Sequence, residues 1–248
     1  MFEVSFDIRA VFDFSRSIDA EVSRIDTGIS APAQYARYYC QSGISGLSSR
    51  LHGAGMHYNA LHAWLPRRVM HRGYHLSNAL FNMASAIECF TFAMNAIGNA
   101  KDATQFRDVT DENSLYLIGP DDIIGEHSRS GYAMHFPLLH ALWKANAGLI
   151  YTVFEYHGVS KCREVQDNGA EPRTDPPAGF FDDMHEDERR HFTPYAQIIL
   201  GPDIKKPRGT RSKMWQHERY ATLEQVMIDY KPFIEESMHV ALIDTTAL

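Results

Sequence analysis

The chain has three cysteines, and none of them are paired by spacing. Cys40, Cys89 and Cys162 are far apart with no CxxC, which excludes a disulfide framework and a cysteine zinc site. There is no P-loop, no GxGxxG, no GxSxG and no kinase motif set, so the common nucleotide-binding and serine-hydrolase chemistries are excluded. No run of eighteen apolar residues escapes polar interruption, so no membrane span is expected. The N-terminal MFEVSFDIRAVFDF lacks the basic start and apolar run of a signal peptide, and a reducing cytoplasm is the expected location. Positive charge is also in deficit. Lys plus Arg number 24 against 31 Asp plus Glu, a net charge of −7, so any polyanion must be held by a local patch.

What is present is helical texture. From Leu76 to Ile97 the sequence LSNALFNMASAIECFTFAMNAI holds one acid, Glu88, and no base, proline or glycine. Leu76, Leu80, Met83, Ala84, Ile87, Thr91 and Met94 follow helical spacing, and Phe81, Phe90 and Ile97 widen the apolar face. This predicts a central buried helix, with Gly98 and Asn99 as its stop. It also predicts that Glu88 is buried against an Arg, His or Tyr, because an unpaired buried carboxylate costs several kcal/mol.

Other elements are less sharply marked. Phe2, Val4, Phe6 and Ile8 alternate with polar residues, the period of a half-buried strand. SRSIDAEVSRI and PAQYARYYCQ suit short helices, whereas GISGLSSRLHGAGMH reads as loop. Thr110 is placed to cap a short helix through Leu117, which Gly119-Pro120 ends. Phe136, Leu139, His140, Trp143, Ala147, Ile150 and Phe154 predict one long helix to about His157. Residues 166–221 are punctuated by prolines and carry an acidic run, so they read as an irregular excursion that offers a protein-partner surface. A capping box, Thr222 with Gln225, opens a last helix that Pro232 should kink or divide.

Four side-chain groupings point to chemistry. Arg129 and His135 are separated by five residues, as are Arg211 and His217, while six separate Arg68 from His75. Such spacing brings a guanidinium and an imidazole to one phosphodiester, for charge stabilisation and proton transfer. Glu188-x-x-His191 and Glu236-x-x-His239, with Glu88 and Glu155, have the residue types of a di-metal carboxylate site but not its chain order. His52, His57, His62, His71 and His75, with Arg67, Arg68 and Arg72, form a basic stretch flanked by Trp64 and Tyr74 that suits a phosphate backbone. Glutamate is missing between His71 and His75, so no HExxH motif is present. Last, an acidic run around Glu186 faces the bases between Lys205 and Lys213.

The apolar helix SAIECFTFAMNAIG is followed by shorter helices and then by the polar segment YHGVSKCREV. This order resembles the HEPN superfamily of helical bundles, over residues 67–165. The resemblance implies a metal-independent ribonuclease of bacterial defence or toxin systems. It also implies RNA as substrate, no cofactor, and a homodimer whose cleft joins two Arg/His pairs. Arg129 and His135 carry the family's order and spacing, with Ser130 where Asn or Asp is usual. His157 and Arg163 stand in the reverse order and are carried as binding residues.

The expected architecture is a mostly α protein, a bundle of about four core helices with a short N-terminal strand. It divides into an extension (1–66), a core (67–165), a proline-rich excursion (166–221) and a C-terminal helix (222–248). The expected catalytic residues are Arg129 and His135, and the expected binding residues are Arg67, Arg68, Arg72, His157 and Arg163, with no metal. A non-catalytic binding or assembly module is the second reading, and a metal-dependent bundle enzyme the third.

Overall fold

The computed structural model describes residues 4–25, 31–62, 69–125, 131–162, 167–172, 195–200 and 222–246. Within them the chain is a mostly helical bundle. Its long helices are α1 (Ile8–Ile25), α2 (Ala31–His62), α3 (Val69–Lys101), α8 (Ala147–Cys162) and α9 (Leu223–Thr246). Between α3 and α8 lie α4 (Glu112–Leu115), α5 (Pro120–Ile124), α6 (Tyr132–His135) and α7 (Pro137–Ala145). Two short strands, β1 (Asp167–Pro172) and β2 (Tyr195–Leu200), pair antiparallel inside the segment read as irregular.

Helix α3 is the axis of the fold, longer than the predicted 76–97 at both ends. Leu76, Leu80, Met83, Ile87, Phe90, Met94 and Ile97 are all buried, as the apolar run demanded. Its window of membrane-like length and hydropathy, within Gly73–Lys101, is 78% buried inside the fold. Glu88 departs from expectation. It lies exposed beside the half-buried Cys89, so the single carboxylate marks α3's open side, where ionisation carries no desolvation penalty.

Helix α2 runs antiparallel to α3 through the stretch read as loop. Glycine there serves packing instead of flexibility. A Cβ at Gly43 would stand 2.8 Å from the Cys89 carbonyl, and one at Gly53 2.7 Å from Asn82 Oδ1. The two backbones therefore approach where side chains would hold them apart. Gly costs about 1 kcal/mol against Ala in a helix interior, and burial along α3 offsets this. With α2 come Cys40, Ile44, Leu47, Leu51 and Tyr58, and with α1 Val11, Phe14 and Ile18, all in the same core cluster as α3. Helices α1 and α2, within the stretch 1–66 read as an extension, thus share the core with α3.

The N-terminal strand is also absent from the described residues. Val4 and Phe6 are buried and Ser5 and Asp7 exposed, so the alternation correctly marks a half-buried segment. No ladder partner is needed, because Asn59 of α2 pairs with Val4 as a strand would. Asn59 Oδ1 accepts the Val4 N–H and its Nδ2 donates to the Val4 carbonyl, both at 2.9 Å. Asp7 then caps α1 by accepting from Arg9 N at 2.9 Å, and the chain turns helical at Ile8.

Two further expectations need correction. The helix predicted from Phe136 is broken at Asn146 into α7 and α8. Asp111, not Thr110, caps α4, accepting from Asn113 N and Ser114 N, while the Thr110 hydroxyl donates to Asp108. The Thr222 cap is found, its Oγ1 accepting from Gln225 N at 3.2 Å, but α9 passes through Pro232 undivided.

Aromatic rings close the core. Phe14 (α1) stacks on Phe90 (α3), which stacks on Trp143 (α7), which meets Phe233 (α9). Trp143 Nε1 donates to Ser237 Oγ at 2.9 Å, and Tyr230 Oη donates to the Met83 carbonyl at 2.8 Å. The buried Asp244 carboxylate accepts from Leu138 N and Leu139 N, capping α7 from α9.

Candidate active site around His135

Where α3 ends, Asp102 turns the chain. Asp102 Oδ1 accepts from Thr104 N at 2.9 Å and from Thr104 Oγ1 at 2.6 Å. These bonds, first the hydroxyl one, hold its carboxyl below the usual range, and the nearby His135 adds to the effect. Asp102 Oδ2 remains to face His135 Nε2 at 3.6 Å. His135 ends the one-turn helix α6, whose start is tied to the same turn by Gly131 N donating to the Gln105 carbonyl at 3.1 Å. Phe106 supports the site from below, its ring 5.7 Å from His135 and 5.0 Å from the buried Tyr132.

The loop beneath is rigidly built. Asn95 of α3 accepts from Arg107 N at 3.1 Å and donates to Arg107 O at 3.0 Å, and Asn99 also donates to that carbonyl. The Arg107 guanidinium makes a forked ion pair with the buried Asp122, at 3.0 Å through Nε and 2.9 Å through its terminal nitrogen. Tyr132 is fully buried nearby. Its hydroxyl pKa is raised far above the ordinary value, chiefly by desolvation, so it stays protonated.

Chemically this is an imidazole oriented by a carboxylate. His135 Nε2 has no hydrogen-bond partner among the described residues, and at 3.6 Å the Asp102 contact is longer than a full hydrogen bond. Catalytic hydrogen bonds are often long before substrate binds. With the Nε2 proton directed to Asp102, Nδ1 is left to take or give a proton.

The other expected residues are dispersed. Arg129, Arg67, Arg68 and Arg163 lie outside the described residues, as do Arg211, His217 and the Glu188/His191 pair. Arg72 lies on the first turn of α3. His157 is buried, its ring 5.3 Å from Phe81, whose face also carries the Arg50 guanidinium at 4.8 Å. It is a core histidine of α8 and not a surface contact for a polyanion. Glu88, Glu236 and His239 are exposed and Glu155 buried, so they form no shared metal centre. No group of three or more His, Cys, Asp or Glu converges among the described residues. His62 Nε2 lies 3.1 Å from Glu224 Oε1, and His57 meets His75. Burial pushes the Cys40 thiol up to about 12, which leaves it a core residue and no nucleophile.

Asp102, Tyr132 and Asn95 were not singled out from sequence. The D-x-T of Asp102 and Thr104 signals a turn after the helix stop. Nothing local links it to a histidine 33 positions away; the Gly131–Gln105 bond and the packing of Phe106 on Tyr132 and His135 bring the two together. Comparison of the chain with family models, with curated proteins and with solved structures gave no match.

Proposed function

We propose that this chain is a HEPN-like ribonuclease in which His135 transfers the proton and Asp102 orients the imidazole. The observation that supports it is the facing of His135 Nε2 and Asp102 Oδ2, with Arg129 six positions before His135 in the sequence. In this reading the imidazole removes the proton of a ribose 2′-hydroxyl or protonates the leaving oxygen, Arg129 offsets the developing phosphorane charge, and no metal takes part in the step. A non-catalytic binding module is the rival. It draws on Met134 and Leu138 beside His135, which are 72% and 46% exposed and offer an apolar contact face.

The test is incubation of the purified chain with end-labelled RNA, with and without EDTA. Cleavage that survives chelator and is lost in His135→Ala supports the ribonuclease. Binding without cleavage favours the module, and cleavage abolished by EDTA favours a metal enzyme.

A further inference from the structure

The solvent-facing stripe of α2 carries no acid or base. Tyr38, Ser42, Ser45, Ser49, His52 and Met56 are all exposed, and the steps between them run four, three, four, three, four. That is the spacing of a coiled-coil seam, and the exposed Tyr35 extends it by one further step of three. The 32 residues of α2 include no Asp or Glu, and its Arg37 and Arg50 both lie off the seam. An exposed helix face is ordinarily rich in charge, and this chain has a net charge of −7. Large apolar groups stand at both ends of the stripe, Tyr38 at 63% and Met56 at 52% exposure, with serines between them. Tyr38 is held by the ring of Tyr39 at 5.3 Å, edge-on, and Tyr39 by Phe92 of α3 at 5.4 Å. The aromatic end of the seam is therefore positioned before any partner arrives.

We propose that a second copy of this chain packs antiparallel on this seam, about a two-fold axis at residue 47. The seam is self-complementary under that operation. Tyr38 meets Met56 of the partner subunit, Ser42 meets His52 of the partner subunit, and Ser45 meets Ser49 of the partner subunit. A ring thus faces a thioether at both ends, a favourable sulfur–aromatic contact, and the central serines let the two backbones approach closely. Because the seam is uncharged, the pairing sets no like charges together in a chain of net charge −7. From Tyr38 to Met56 the seam is about 27 Å long, and a helix about 10–12 Å wide gives a flat footprint of about 300 Å² on each protomer. Standard interfaces bury about 800 Å² per partner, so α2 gives a weak, reversible dimer that dissociates at about 10–100 μM. The inference is independent of the His135 reading. Gly43 lies level with Ala93, and Asp102 is nine residues further along the chain, so each His135 site stands about 20 Å from the two-fold axis along the helices. The two sites of this dimer remain about 40 Å apart at 1.5 Å per residue and share no cleft, unlike those of the homodimer that the HEPN resemblance implies.

The test is sedimentation equilibrium of the full chain at loadings from about 1 to 300 μM, which bracket the expected dissociation constant. Ser45 and Ser49 are exposed, so their variants should keep the parent's helicity, which circular dichroism verifies. The parent should move from monomer to dimer across this range. Ser45→Glu with Ser49→Glu sets carboxylates against carboxylates across the axis and should weaken association about tenfold or more. Ser45→Lys with Ser49→Glu sets an ammonium against a carboxylate only when the helices run antiparallel, and it should associate at least about tenfold more tightly than the double-Glu variant. Tyr38→Ser should weaken association through loss of the ring at both ends. A parent that stays monomeric at every loading would overturn the proposal. So would a dimer that the double-Glu variant leaves unchanged, or a Lys/Glu variant that associates no better than the double-Glu one.

Discussion

Asn59 holds Val4 by both backbone groups, giving one hydrogen bond and taking another at 2.9 Å. The side-chain amide does here what a neighbouring strand does in a sheet, and Asn95 repeats the arrangement on Arg107. Asn59→Ala should leave two backbone groups beside the core unsatisfied and destabilise the fold by about 1–3 kcal/mol. Asn59→Asp should do at least as much harm, because a carboxylate cannot donate to the Val4 carbonyl. Urea unfolding monitored by circular dichroism measures both, and a loss below about 0.5 kcal/mol in each would mean that the clamp is incidental.

Two helical glycines should respond oppositely to alanine. At Gly43 the new Cβ would meet the Cys89 carbonyl and Ala93, so Gly43→Ala should force α2 from α3 and destabilise by about 1–3 kcal/mol. At Gly158 in α8 a Cβ meets nothing within 4 Å, and Gly158→Ala should stabilise by about 0.5–1 kcal/mol through helix propensity alone. Melting temperatures moving in the same direction for both variants would contradict this packing account.

Trp143 and Ser237 make a buried donor–acceptor pair at 2.9 Å. Ser237→Ala should strand the indole N–H and cost about 1–3 kcal/mol, whereas Ser237→Thr keeps the hydroxyl and tests whether the core admits one more methyl. Near-ultraviolet circular dichroism, which reports the tryptophan environment, should change in Ser237→Ala before helicity does.

The pH dependence of stability should carry a histidine signature. Burial lowers the pKa of His57 below the ordinary 6.5. Between the folded and unfolded values the unfolded chain binds more protons, so stability falls as pH drops from about 6.5 towards the lower folded value. In His57→Gln this part of the curve should flatten, while the acid limb set by carboxylates such as Asp102 remains. Chemical unfolding at pH 7.5 and 5.5 distinguishes the two, and an identical pH difference in parent and variant would remove His57 as the source.

If the chain cleaves RNA, His135→Ala should reduce kcat by about 10²–10⁴-fold with little change in melting temperature. Asp102→Asn should lose part of that rate while His135 remains in place, because a neutral amide orients the ring but stabilises its charged form less. Undiminished single-turnover cleavage in His135→Ala would assign the chemistry elsewhere.

Helix α3 was readable because its composition admits only burial. Helix α2 was not, since Gly, Ser and His have weak local preferences for helix, and only the surface of α3 gives Gly43 and Gly53 their use. The alternation in residues 2–8 told correctly which side chains are inside, but period two cannot tell a ladder partner from an asparagine. Apolar spacing runs unbroken across Asn146, so the division of α7 from α8 leaves no local mark. Of the candidate site, His135 was visible as a residue type at a family spacing. Its carboxylate was not, because the turn at Asp102 and the helix at Tyr132 are joined by a backbone bond between distant positions.

The ring chain from Phe14 through Phe90 and Trp143 to Phe233 sets a timetable for biosynthesis. Trp143 reaches its hydroxyl partner only 94 residues later in the chain. At ribosomal rates of roughly 5–20 residues per second, α1, α2, α3 and α7 wait on the order of seconds with this aromatic seam open. The nascent protein therefore presents its stickiest surface until α9 emerges, and its yield in cells should depend on chaperone supply more steeply than its final stability suggests.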